Sequence, residues 1–178
     1  KDAGLRRITI SLDSLDDEVF KHMNGVGFSV DRVLSGISAA QKVGLDPIKV
    51  NCVVQKGVND HTIVDLAKYC KDNNFILRFI EYMDVGNQNK WDFKQVVPSQ
   101  EIVRIIKDAL DIRPLGKNYP EEVADRYEYS DGSGEIEYGE LTKRIKGSDP
   151  VRRERLKKLA LRREKLDSRR LKNNAENK

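Results

Sequence analysis

The chain is poor in the residues that staple or ligate. Its 178 residues include two cysteines, two histidines, five prolines and one tryptophan. Cys52 and Cys70 match neither a disulfide framework nor a zinc ribbon, whose ligands come in closely spaced pairs. Two lone thiols fit a reducing compartment. His22 and His61 are far apart, so local spacing supplies no metal site. No apolar run approaches the roughly 18 residues that cross a bilayer, which argues against a membrane protein. No basic stretch followed by an apolar core opens the sequence, and nothing in it points to secretion. Hydrophobic residues are also scarce, at 38% of the chain, where about 45–50% is ordinary.

Charge is abundant instead, and unevenly placed. Residues 1–142 carry 18 Lys and Arg against 24 Asp and Glu, a net of −6, whereas residues 143–178 carry 15 against 5, a net of +10. A mildly acidic body therefore bears a basic tail, and the two are best read separately.

Within the body, Arg7–Asp13, Ile48–Val54 and Ile76–Met83 read as buried strands, short and rich in β-branched and aromatic residues. Helical spacing predicts a helix over Asp31–Val43, with Ser29 as N-cap and Gly44 beyond its end. It predicts a second over Asp60–Lys71, starting at Asn59-Asp60, and a third over Ser99–Asp108. A weak repeat ties these units together. Lys-Asp-Ala-Gly-Leu at residues 1–5 leads into the first strand as Gln-Lys-Val-Gly-Leu at 41–45 leads into the second. Lys71-Asp72-Asn73-Asn74-Phe75 leads into the third, with Asn74 in glycine's place. Strand and helix alternating in this way predict βα units on a parallel sheet or barrel. Residues 1–4 resemble the last turn of a helix, so the expectation is the later part of a larger βα domain. Asp125–Tyr129 and Glu135–Tyr138, flanking an Asp131-Gly132-Ser133-Gly134 turn, read as a small hairpin at the domain edge. In the tail, Ser148-Asp149-Pro150 opens an expected helix over Val151–Leu171, and Asn173–Lys178 is expected to be disordered.

Chemistry in such architectures sits at the carboxyl ends of the strands. Thr9, Ser11 and Asp13 alternate with apolar residues in the first strand, as Lys49 and Asn51 do in the second, so these polar side chains face a barrel interior or cleft. Lys49 has no obvious local partner. It either meets an anion or reaches solvent, and the pattern favours neither. For Ser11 a hydroxyl bonded to backbone is the commoner outcome, and Met83 by pattern alone is core. Cys52 reads as packing. Arg78 and Glu81 fall on opposite faces of the third strand, which a bulge or the strand end has to resolve. Gly25-Val26-Gly27 and Gly132-Ser133-Gly134 lack the context of a phosphate loop.

Three longer stretches carry a family resemblance. Leu5-Arg6-Arg7-Ile8-Thr9-Ile10-Ser11-Leu12-Asp13-Ser14-Leu15-Asp16 resembles the fourth strand and turn of the radical-SAM GTP 3′,8-cyclases of molybdenum cofactor biosynthesis. Pro47–Asp60 is similar to their fifth strand and loop. Arg78–Gly86, followed by Trp91-Asp92-Phe93, is similar to their sixth. The resemblance runs from Lys1 to about Ile136. It implies an α/β fold, the C-terminal part of an incomplete TIM-like (β/α)6 barrel with an edge hairpin and a basic helical tail. The implied division is 1–94 for the second half of the barrel, 95–140 for a helix and hairpin extension, and 141–178 for the tail.

The resemblance further implies S-adenosylmethionine and [4Fe-4S] clusters as cofactors and GTP as substrate. Ser11 and Met83 fall at S-adenosylmethionine positions and Lys49 at a GTP position. Cyclic pyranopterin monophosphate synthase follows in the family's pathway, a homodimer is open, and the setting is cytoplasmic, or organellar in a eukaryote. The family's cysteine sets have no counterpart among these residues, so the chain reads as a fragment or fusion that holds no cluster unaided. A rival reading gives the basic tail to nucleic acid. It lacks any aromatic residue from Lys143 onward for stacking, and nucleic acid is not the expected partner. A third reading is a catalytically dead half-barrel with an interaction role.

Overall fold

A computed structural model describes residues 2–82, 95–116 and 124–139. They belong to one compact unit spanning residues 1–140. Met83 and the whole 141–178 tail, with its expected helix, lie outside the described residues.

The elements in chain order are β1 (Ile8–Ser11), α1 (Asp17–Asn24), α2 (Val30–Lys42), β2 (Ile48–Val54), α3 (Ile63–Asp72), β3 (Ile76–Glu81), α4 (Ser99–Ala109), β4 (Ile112–Leu115), β5 (Ala124–Tyr129) and β6 (Glu135–Gly139). All six strands form one sheet in the order β1-β2-β3-β6-β5-β4. The β1, β2, β3 and β6 strands run parallel in turn, and β6-β5-β4 continue antiparallel. This is a mixed α/β sheet that fits the radical-SAM expectation.

The sequence explains most of these elements directly. Ser29 caps α2 by accepting from the Asp31 amide. Gly44 (φ +72°) and Asn74 (φ +57°) turn left-handed after α2 and α3, as the repeat predicts. Asparagine tolerates that region because its short polar side chain bonds locally. Residues 17–24 went unassigned in the sequence, yet Asp16 accepts from the Glu18 and Val19 amides, both at 3.0 Å, and nucleates α1. The β4 strand was hidden by Pro114. At a sheet edge a missing N–H costs no ladder bond, so proline is tolerated there.

The hairpin forms with the expected strands but is not peripheral. Its second strand, β6, pairs in parallel with β3, Leu77 opposite Ile136 and Phe79 opposite Tyr138. Two buried apolar residues in alternation, Ile136 and Tyr138, give β6 an inward face that an edge strand does not need. The helices pack on one face of the sheet. Ile37, Leu66, Cys70 and Ile106 join Val50, Leu77 and Phe79 in a single buried cluster. The strand residues between them point to the opposite face, which carries no helix among the described residues and is called the helix-free face below.

Candidate functional site

The helix-free face carries a polar row across the sheet. Thr9 lies opposite Lys49, and Ser11 opposite Asn51, which in turn lies opposite Arg78, and Arg78 opposite Glu137. Alternation therefore assigns Ser11, Lys49 and Asn51 as the sequence predicts. Ser11 is exposed, on a strand with one open edge.

Lys49 takes the first of its two expected outcomes and meets an anion, one that the protein itself supplies. It neither lacks a partner nor simply reaches solvent. Its Nζ donates to Glu137 Oε1 at 2.8 Å and Oε2 at 3.0 Å, across 88 residues of sequence. Arg78 meets the same carboxylate through Nε at 2.7 Å and Nη2 at 2.6 Å. The carboxylate side chain is 6% exposed, against 22% for Lys49 and 35% for Arg78. Burial pushes the Glu137 carboxyl up, but the bonds from Lys49 and Arg78 outweigh it and hold it below its ordinary value. Its folded value lies below its unfolded one, so the triad stabilises the fold above the unfolded value and loses that contribution as pH falls through the folded one.

Arg78 and Glu81 need no bulge. Both obey alternation, and Glu81 points to the helix side, where it is buried and accepts from the Ser99 amide (3.0 Å) and hydroxyl (2.8 Å) at the start of α4.

At the carboxyl ends of β1 and β2, a hydrogen-bonded knot fixes the loops. Asp13 Oδ1 accepts from the Val53 amide at 2.8 Å. Burial raises the Asp13 carboxyl above its ordinary value, and that bond lowers it only in part. Asn59, fully buried, donates to the Asp13 and Val53 carbonyls at 2.7 and 2.8 Å and accepts from the Gln55 amide at 2.8 Å. Asn51 Oδ1 is buried and has no hydrogen-bond partner among the described residues. A cavity of about 450 Å³ beside Gly4, Arg6 and Asp46 lies at the opposite, amino ends of β1 and β2.

Sequence reasoning missed Glu137 and underrated Asn59. Glu137 sat inside a plain hairpin strand, and its meaning depends on β6 joining β3. The Asn59-Asp60 pair was read as a helix start, whereas α3 begins only at Ile63.

A mixed sheet covered by helices on one face, with polar residues along the other, is the arrangement of a βα ligand-binding enzyme. Residues 1–70 match the model of the Radical SAM superfamily, and residues 75–140 match that of Molybdenum Cofactor Synthesis C. Among curated proteins, the chain is 50% identical over 136 residues to GTP 3′,8-cyclase of Acidothermus cellulolyticus, a match covering 76% of this chain and 38% of the relative. It is 46% identical to the enzyme of Staphylococcus saprophyticus (76% and 39%) and 42% identical to that of Staphylococcus aureus (79% and 41%). Over residues 1–140 the chain thus resembles the radical SAM superfamily, and within it one part of the GTP 3′,8-cyclases. It spans about two fifths of the length of these relatives.

The residues present do not fit the family's iron–sulfur clusters. A [4Fe-4S] cluster takes about three or four protein thiolates, and this chain has two cysteines, both buried among the apolar core residues. Among the described residues, no group of three or more His, Cys, Asp or Glu is placed to hold a metal. Burial raises the Cys70 thiol to about 12 and the Cys52 thiol well above its ordinary value. Both thiols therefore stay protonated at neutral pH, and only the thiolate reacts or ligates. A disulfide-exchange reagent at pH 8 is expected to label neither cysteine in the native chain and both after denaturation in urea. Anaerobic reconstitution with iron and sulfide is expected to give no stoichiometric cluster absorbance. Rapid native labelling, or a cluster spectrum, contradicts this placement.

Proposed function

We propose that this chain supplies the nucleotide-facing sheet of a GTP 3′,8-cyclase, which in molybdenum cofactor biosynthesis converts GTP to (8S)-3′,8-cyclo-7,8-dihydroguanosine 5′-triphosphate. The reading rests on one observation, the convergence of Ser11, Lys49, Asn51 and Arg78 on the helix-free face, in a chain whose relatives carry that name. In this reading residues 1–94 belong to the second half of a (β/α)6 barrel and 95–140 extend its sheet, while the basic stretch 141–178 lies outside the described residues. The product passes to a cyclic pyranopterin monophosphate synthase.

Ser11 and Met83 hold S-adenosylmethionine. The unsatisfied Asn51 oxygen next to Ser11 fits that assignment, because the amino-acid end of the molecule brings N–H donors to it. When bound, S-adenosylmethionine supplies the hydrogen-abstracting radical of this family. Lys49 acts on GTP as a point charge toward an oxyanion, a charge-assisted contact worth roughly 1.5–3 kcal/mol.

The test is Lys49→Ala in a complete cyclase carrying this segment in place of its own. Calorimetry is expected to show GTP affinity falling by about one to two orders of magnitude, at ~1.4 kcal/mol per tenfold. S-adenosylmethionine affinity changes much less. Equal losses for both ligands mean that Lys49 supports the fold. An unchanged GTP affinity means that it plays no part in binding.

A further inference from the structure

The Lys49–Arg78–Glu137 triad has a consequence for binding that depends on the reading of Lys49 as a GTP contact. Three charge-assisted hydrogen bonds converge on one carboxylate, two from Lys49 and one from Arg78, whose Nη2 adds an ion-pair contact at 2.6 Å. The acid is the buried member, while both cationic side chains keep a solvent-facing portion. The two cations are thus aimed inward at a protein anion and are still reachable from outside. Arg126, in register with Glu137 on the neighbouring strand, spends its Nη2 on Glu135 at 2.6 Å.

We propose that Glu137 is an internal counter-ion occupying the place of a substrate oxyanion, and that a phosphate group of the nucleoside triphosphate binds Lys49 and Arg78 by displacing it. A carboxylate and a phosphate oxygen ask the same thing of an ammonium and a guanidinium, namely short N–H···O bonds with charge on both sides. Both cannot be satisfied at once, because two anions sharing the pair repel each other. Glu137 cannot leave with its backbone, which is held in the ladder between β3 and β5. Exchange is therefore a side-chain rotation, and its cost lowers affinity for the incoming anion. The same contact keeps the two cations neutralised and in place when no nucleotide is bound.

The test uses the whole chain and three probes, namely GTP, inorganic tripolyphosphate and guanosine. Binding is measured by equilibrium dialysis for the native chain, Glu137→Gln, Glu137→Ala, Lys49→Ala, and Glu137→Gln combined with Lys49→Ala. Circular dichroism and thermal melting confirm that each variant folds, and the near-isosteric glutamine covers failure of the alanine variant. Glu137→Gln is expected to tighten GTP and tripolyphosphate by about tenfold or more, since a charge-assisted competitor becomes a neutral one. Guanosine binding is expected not to change, and adding Lys49→Ala removes the gain. Three results overturn the proposal. One is unchanged or weaker triphosphate binding in a folded Glu137→Gln chain. Another is an equal gain for guanosine, which assigns the effect to shape rather than charge. The third is failure of every variant to bind either polyphosphate. If Lys49→Ala weakens GTP while Glu137→Gln changes nothing, the exchange fails and the Lys49 reading survives. If Lys49→Ala changes nothing in either background while Glu137→Gln still tightens binding, the reading of Lys49 fails with it.

Discussion

Phe79→Ala is expected to destabilise the fold by about 3–5 kcal/mol, the usual cost of emptying a buried aromatic site. Phe79 lies in β3, between β2 and β6, and is 1% exposed. Its ring stacks on Tyr138 with centroids 5.6 Å apart and planes at 28°. Both neighbouring strands are held by backbone ladders, so the site cannot collapse around the cavity, and packing that cannot relax makes truncation costly. A domain of this size has about 5–15 kcal/mol in total. Urea titration is expected to show the midpoint falling by about a fifth or more, with the slope unchanged. A shift corresponding to less than 1 kcal/mol means that the ring is not where the packing is tight. Tyr138→Phe is the matched control. The Tyr138 hydroxyl is buried without a hydrogen-bond partner among the described residues, so removing it is expected to be neutral or stabilising.

Asn59→Ala is expected to cost about 3 kcal/mol for a different reason. One amide serves three backbone groups, and its loss takes the Gln55 amide's side-chain acceptor and leaves the Asp13 and Val53 carbonyls with the weak Cys52 thiol in place of an amide donor. Each such group costs roughly 1–3 kcal/mol if nothing replaces the bond. Hydrogen exchange is expected to localise the damage, with the Val53 and Gln55 amides losing protection before the β3 ladder does. Asn59→Asp sharpens the test. It keeps an acceptor for Gln55 but places a carboxylate against two carbonyls. Its folded pKa is then raised above the unfolded value, and stability declines as pH rises through that folded value. A variant as stable as the native chain at every pH shows that the knot contributes little.

Local signals carried the fold wherever a strand or helix was specified by its own residues. The β2 strand alternates so regularly that its bounds, its buried face and the placing of Lys49 and Asn51 on the other face all follow from seven residues. Ser29, Gly44 and Asn74 are caps with local chemistry and are read locally. What was not legible depended on partners distant in the chain. Pro114 breaks any interior strand, and only its position at an open edge excuses it. Glu137 looks like an ordinary polar position in a hairpin until β6 is placed beside β3, which brings Arg78 and Lys49 to it. The same step turns Lys49 from a lysine in search of an anion into one that already has it. Ser11 and Lys49 stood out first by strand alternation, which their shared face matches, and their ligand roles came only from the family resemblance. Met83 falls outside the described residues.

The place of β6 in the sheet also bears on how a ribosome delivers this domain. The strand that joins the parallel half to the antiparallel half is the last of the described elements to be synthesised, and its contacts with β3 span 59 residues, as between Arg78 and Glu137. Until Gly139 has cleared the exit tunnel, β3 and β5 each present a bare backbone edge with nothing to zip them together, the kind of edge that recruits other chains. While the chain has emerged only as far as the turn between Tyr129 and Glu135, it therefore presents two half-sheets, both sticky, and the emergence of five further residues, Glu135–Gly139, is the event that makes them one.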